Sequence, residues 1–375
     1  MIIQHFLKWV DTAKVSERAA AASALARAYA FSDLAFDDRC AAEAALTLLL
    51  DDPSPKVRLA MAESLSLSHA APAQIIAALA SDQPEIAAIV LLRSPLLDDA
   101  DLIDRVAGGS AAIQRLVAMR PRVSLALSAA IAETGDCAAC IELLRNTGAE
   151  IAALSLRRIA ERHGGDATLR ETMLSGRWLP ADVHHLLMTR LGEALQASPL
   201  IRAVIGNTRA ERVTRDACVS GSVKLIEATL AVEFPALVEH LRLRGEMTSS
   251  FLVRVVAHGK IDFFGAALVA LSGQKENRVR SLLADGRDVA LEALFRSAGI
   301  ADGTHRVILR AIRVWRDVAT GKCVAGTQEV SWLMLRALDG DQSAGDGKLA
   351  TLLSSIHLQA LRENARGHAM AIQAA

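Results

Sequence analysis

Aromatic side chains are scarce in this chain. They make up 3% of its 375 residues, and only one is a tyrosine. Stacked rings cannot therefore build the core. Ala, Leu, Val and Ile must fill it, in a chain that is 52% hydrophobic. Cysteine is sparse too: Cys40, Cys137, Cys140, Cys218 and Cys323 are few and odd in number. That argues against a disulfide framework and fits a reducing cytosol. Net charge is missing, with 42 basic and 42 acidic residues, so bulk electrostatics neither demand nor exclude a polyanionic partner. No charge-free apolar run reaches about 18 residues, so no membrane span is predicted. The opening Met1-Ile2-Ile3-Gln4-His5-Phe6-Leu7-Lys8-Trp9 has no basic segment before a long apolar one and makes a poor signal peptide. A cytoplasmic location is expected. No stretch alternates apolar and polar residues long enough to argue a sheet. Phosphate-loop, dinucleotide, zinc-protease and nucleophile-elbow signatures are all absent.

What is present is a repeat. Its anchors are Asp52, Asp82, Gly109, Asp136 and Asp166, spaced by 30, 27, 27 and 30 residues. Each is followed by a small or apolar helical run, such as Val57-Arg58-Leu59-Ala60-Met61 or Ile113-Gln114-Arg115-Leu116-Val117. A break then follows, near Pro72, Ser94-Pro95, Arg120-Pro121, Asn146-Thr147-Gly148 and Leu179-Pro180. Second runs are expected over 73–80, 99–107, 125–133, 151–163 and 181–196. A fixed period of this size marks stacked helical hairpins, none able to bury its apolar face alone. Asp or Gly at the anchor suits a cap or a tight turn. The units are shorter than HEAT repeats of about 40–47 residues, so compact HEAT-like hairpins are expected.

The predicted organisation has four parts. Residues 1–50 form capping helices, with Asp37-Asp38 capping the second. Residues 51–197 form about five hairpins. Residues 198–320 form a helical domain, with Thr248 capping one helix and glycines such as Gly259, Gly273 and Gly299 ending others. Residues 321–375 hold one more helix, a flexible linker over 340–347 and a final helix over 348–366, either loosely docked or used for partner contact. Residues 367–375 are expected to fray.

Two blocks carry a family resemblance. One is Pro55-Lys56-Val57-Arg58-Leu59-Ala60-Met61-Ala62-Glu63-Ser64-Leu65 with Leu91-Leu92-Arg93-Ser94-Pro95-Leu96-Leu97. The more specific block comprises Leu237-Val238-Glu239-His240-Leu241, Phe251-Leu252-Val253-Arg254-Val255-Val256 and Gly259-Lys260-Ile261-Asp262-Phe263-Phe264. It ends in Leu294-Phe295-Arg296-Ser297-Ala298-Gly299-Ile300. Over roughly residues 50–318 the chain resembles the DUF2336 family of alphaproteobacterial proteins. The resemblance implies a bacterial, cytoplasmic, all-helical protein and transfers no catalytic residue.

Charge supplies the candidate sites. Residues 201–316 carry 18 Lys/Arg against 12 Asp/Glu. Within them Arg306, Arg310 and Arg313 form one stripe at i, i+4 and i+7 of an amphipathic helix, with Arg316 nearby. Arg157, Arg158 and Arg162 form a smaller group in the repeats. Both groups read either as solvated faces or as docking points for an acidic protein segment or a nucleic-acid backbone. Aromatic interleaving, which single-strand binding would need, is missing. Cys137 and Cys140 have neither a thioredoxin-like setting nor a second ligand pair for zinc and read as buried packing. Adjacent His184-His185 point about 100° apart on a helix. With His163 and His240 they read as surface or capping residues. Asp98-Asp99 reads as a helix cap.

The expected fold class is all-α: a HEAT-like α-solenoid followed by a C-terminal helical domain. Repeats without a catalytic set suggest no enzyme, no cofactor and no metal. They suggest a cytosolic scaffold or regulator that binds a segment of a partner protein on the solenoid surface or the basic C-terminal domain. A nucleic-acid-backbone binder is the first alternative, and a helical-repeat enzyme the second.

Overall fold

The computed structural model describes residues 9–10, 12–176, 179–338 and 346–374. Among them the fold is all-helical, with 22 α-helices, a single 3₁₀ turn and no strand. The segment up to residue 8, Arg177-Trp178 and most of the linker expected over 340–347 lie outside the described residues. The chain divides into two compact units, Met1–Leu179 and Pro180–Ala375.

The first unit contains α1 (Val15–Phe31), α2 (Phe36–Leu49), α3 (Pro55–Leu65), α4 (Ala73–Leu79), α5 (Pro84–Arg93) and α6 (Asp99–Gly108). It continues with α7 (Ala111–Ala118), α8 (Leu125–Thr134), α9 (Cys137–Arg145), α10 (Ala153–His163) and α11 (Ala167–Leu174). Helix α1 packs on α3, α3 on α5, α5 on α7, α7 on α9 and α9 on α11. A second row runs α6 to α8 to α10. This is a two-rowed stack of helical hairpins. Every repeat anchor stands just before a helix of the first row.

Local chemistry sets those starts. Pro55 and Pro84 sit in the first turns of α3 and α5, where a missing N–H costs nothing. Asp136 and Asp166 cap α9 and α11 by accepting the N–H groups of Ala139 and Leu169 at 2.7 and 2.9 Å. Asp98 caps α6 in the same way. Asp37 and Asp38 do not cap: they lie inside the first turn of α2, where they favour the helix dipole. Side chains such as Val57, Met61, Val90, Ile131, Leu143 and Ile159 are fully buried between the rows.

The second unit holds α12 (Ala181–Ala197), α13 (Pro199–Ile205), α14 (Asn207–Ala228), a 3₁₀ turn (Ala231–Glu233), α15 (Phe234–Leu243) and α16 (Ser249–Ala257). Then come α17 (Ile261–Ser272), α18 (Glu276–Asp285), α19 (Asp288–Ser297), α20 (Asp302–Ala319), α21 (Thr327–Arg336) and α22 (Asp346–Ala374). Helix α12 packs on α14 and α15 of this unit.

Phenylalanine, scarce overall, is gathered in this core. Phe263, Phe264 and Phe295 are among its most buried side chains, and Phe234–Phe263 and Phe264–Phe295 meet edge to face at 5.4 and 6.0 Å. A core mainly of Ala, Leu, Val and Ile, with Tyr29, Met61, Cys140 and Met173, thus describes the first unit and not the second. Helix α22 is docked, with Leu349, Leu353 and Ile356 buried against the unit. It stays helical to Ala374, past the expected end at 366.

Candidate binding groove

Helices α15, α17, α18 and α20 of the second unit enclose a half-open groove of about 730 Å³. That volume lies within the range of about 300–1,000 Å³ usual for concave binding sites. Its walls are apolar: Phe234 from α15, Ile261 and Val269 from α17, Val279 and Leu283 from α18, Ile312 and Trp315 from α20. The floor is made of small residues of α17, Gly265, Ala266 and Ala270. A Cβ on Gly265 would stand 3.2 Å from Cδ1 of Leu283. Glycine there lets α17 and α18 lie close.

Trp315 is fixed at two points. Its Nε1 donates to the Val256 carbonyl at 2.8 Å. Its ring lies over Gly259, where a Cβ would sit 3.0 Å from the indole. Gly259 has φ +72°, so the turn ending α16 needs glycine both for its backbone and for the space.

Charges line the rim. They are Glu239, Asp262, Glu276, Asp285, Arg280 and Arg316. Arg316 donates to the carbonyls of Leu282, Leu283 and Gly286 at 2.7, 2.7 and 3.1 Å. It closes the C-terminus of α18, where cations are favourable, and burial lowers its pKa. Glu239 is clamped by Arg242 at 2.7 Å through both oxygens, which holds its carboxyl below the usual range. Glu276 pairs with Arg280 at 3.3 Å. Asp262 and Asp285 have no ion pair among the described residues. The positive surplus of residues 201–316 is therefore not gathered at this rim.

The arginines singled out from the sequence lie elsewhere. Arg306 and Arg310 are exposed on α20, and Arg313 is exposed and paired with Asp288. None of the three lines the groove. In the first unit, Arg158 pairs with Glu133 at 2.6 Å, which lowers the Glu133 pKa. Arg162 donates to the Ala132 carbonyl at 2.7 Å and ties α10 to the end of α8. Arg157 is half-buried with contacts of its own. The two groups lie in different units.

A family model described as "Uncharacterised protein conserved in bacteria (DUF2336)" matches residues 86–342. The chain belongs to the DUF2336 family. No curated protein and no solved structure matches it. The matched stretch of this DUF2336 protein includes every residue lining the groove.

The chain also holds a polar cluster that sequence spacing did not reveal. His185 is buried, with Nδ1 3.2 Å from Nε2 of His240 and Nε2 2.9 Å from the Ser222 hydroxyl. Glu246 lies 3.3 Å from the same Nε2 and is itself paired with Arg244. Burial, reinforced by nearby Arg244, pushes the pKa of His185 down to about 4; His240 is likewise pushed down to about 4, chiefly by burial. His185 is a buried core histidine and His240 a half-buried one beside it, and burial favours the neutral form of both, so neither is the surface or capping residue expected. Their partners lie 37 and 55 residues away, beyond any local motif. His163 does act as expected, meeting the Gly135 carbonyl at 3.2 Å. Cys140 is buried, and its thiol is pushed up to about 12.

Proposed function

We propose that this DUF2336 protein is a non-enzymatic, cytosolic interaction module whose second unit holds a segment of a partner protein in the α15–α17–α18–α20 groove. The observation that carries this reading is the groove itself: a half-open trough with apolar walls, a floor of small residues and charges confined to the rim. Such a trough gains affinity by burying a few large apolar anchors, while rim charges orient the guest. The hairpin stack of the first unit is in this reading a second, extended binding surface.

Filling the groove tests the proposal. Ala270 and Ala284 line it and are exposed, so tryptophan at either position adds bulk without opening the core. Affinity purification from the native bacterium should recover a discrete protein with the wild type and lose it with Ala270→Trp and Ala284→Trp. It should be kept with the paired change Arg306→Glu and Arg310→Glu. Retention of every recovered protein by both tryptophan variants would contradict the groove as the binding site.

A further inference from the structure

The rim charges specify the guest more narrowly. Four carboxylates and two guanidiniums surround the groove. One guanidinium, that of Arg316, is turned onto three backbone carbonyls. Two of the carboxylates already have arginine partners, Glu239 with Arg242 and Glu276 with Arg280. Asp262 and Asp285 remain, both exposed and without an ion pair among the described residues. They belong to the two adjacent helices of one hairpin, the first turn of α17 and the end of α18, and so stand at the same end of the groove. A guest lying along the groove would meet both carboxylates near one of its ends.

The floor points to the same guest. Ala266 and Ala270 stand one turn apart on α17 and present no side chain beyond a methyl group. A helix can approach such a strip closely and send its own large side chains between the walls. The 3₁₀ turn beside the mouth extends the apolar surface, because Leu230 and Val232 are largely exposed.

Resting on the reading of the groove as a protein-binding site, we infer that its guest is a basic amphipathic helix: large aliphatic side chains on one face, spaced at i, i+3 or i+4 and i+7, flanked by lysine or arginine. The aliphatic face fills the trough, and the cations at one end of the helix meet Asp262 and Asp285. The charge surplus on the remaining surface of this unit does not oppose the guest, since it is not gathered at the rim.

Two short synthetic peptides with one shared leucine face test this directly, one flanked by lysines and one by glutamates. Titrated by calorimetry into the full chain at low salt, the lysine peptide should bind at least about tenfold tighter. The paired change Asp262→Lys and Asp285→Lys should abolish or reverse that preference. Ala270→Trp should weaken both peptides while circular dichroism stays unchanged. Equal affinity for the two peptides overturns the inference, as does a lysine preference that survives the double charge reversal. Binding of a long-chain fatty acid in the groove, with neither peptide bound, also overturns it by making the site one for a small amphiphile. A partner lost from the filled-groove variants whose contacting segment is not basic would defeat this inference alone. Retention of all partners by those variants would defeat the protein-binding reading beneath it.

Discussion

Gly259 shows at a single residue how the groove is held. Its φ of +72° is costly for any side chain, and a Cβ would press on Trp315. Gly273 has nearly the same backbone, with φ +67°, but open space around its Cα. Gly273→Ala should therefore cost about 1 kcal/mol, the left-handed backbone term alone. Gly259→Ala should cost about 2–4 kcal/mol, since overpacking adds to that term. Urea denaturation followed by Trp315 fluorescence separates the two, with Trp315→Phe as the control for the other tryptophans. Equal costs would show that the Trp315 contact contributes nothing.

The His185–His240 pair makes a prediction about pH. Both folded pKa values lie near 4, below the usual 6.5 or so of an unfolded histidine. Between those values the unfolded chain binds more protons than the folded one, so stability rises with pH. The contribution is complete above about pH 6.5 and fades as pH falls towards 4. The second unit should lose on the order of 4 kcal/mol over that window. Replacing both histidines by glutamine should flatten the slope, read by hydrogen exchange in α12 and α15. An unchanged slope would remove the pair as its cause.

At the scale of elements, the repeat is fastened by polar side chains reaching across about one period. Arg18 holds Asp52 and Arg58 holds Asp82, at 2.7 and 2.6 Å. Gln114 accepts from the Asp136 N–H, 22 residues on, and donates to the nearer Val106 carbonyl, both at 2.9 Å. Buried Arg120 donates to the carbonyls of Leu91 and Ser94, and Asn146 to those of Ala118 and Arg120. Helix ends need such partners because their last carbonyls have none within the helix. A double-mutant cycle on Arg58→Ala and Asp82→Ala should give a coupling of about 1–2 kcal/mol, because both side chains are mostly shielded from solvent. A coupling near zero would make the pair incidental.

These fastenings mark the limit of what the sequence reveals. The anchors at Asp52, Asp82, Gly109, Asp136 and Asp166 were legible because a period is visible along the chain, though only Asp136 and Asp166 among them cap a helix. The second helices were legible to within about two residues for the same reason. That Arg162 serves the end of α8, and that His185 meets His240, were not, because each pairing depends on how distant segments come together. The groove was illegible too: its four helices were each predictable, but Ala266 and Ala270 look like ordinary helix formers until α15, α18 and α20 leave them uncovered. Arginine stripes drew attention instead, since charge periodicity is visible in one dimension and concavity is not.

At the scale of the whole molecule, two helical units serve a single purpose in the proposed function. The first repeats one hairpin device, and the second departs from it and encloses the groove. The most direct test places a photo-crosslinking amino acid, one position at a time, at Ala284 in the groove, at Arg306 on the exposed face of α20 and at Arg157 in the hairpin stack. Irradiated in living cells of the native bacterium, the Ala284 variant should yield a discrete adduct that the Arg306 variant lacks, through a segment rich in leucine, lysine and arginine. Adducts confined to Arg306 or Arg157, with none at Ala284, would contradict the account.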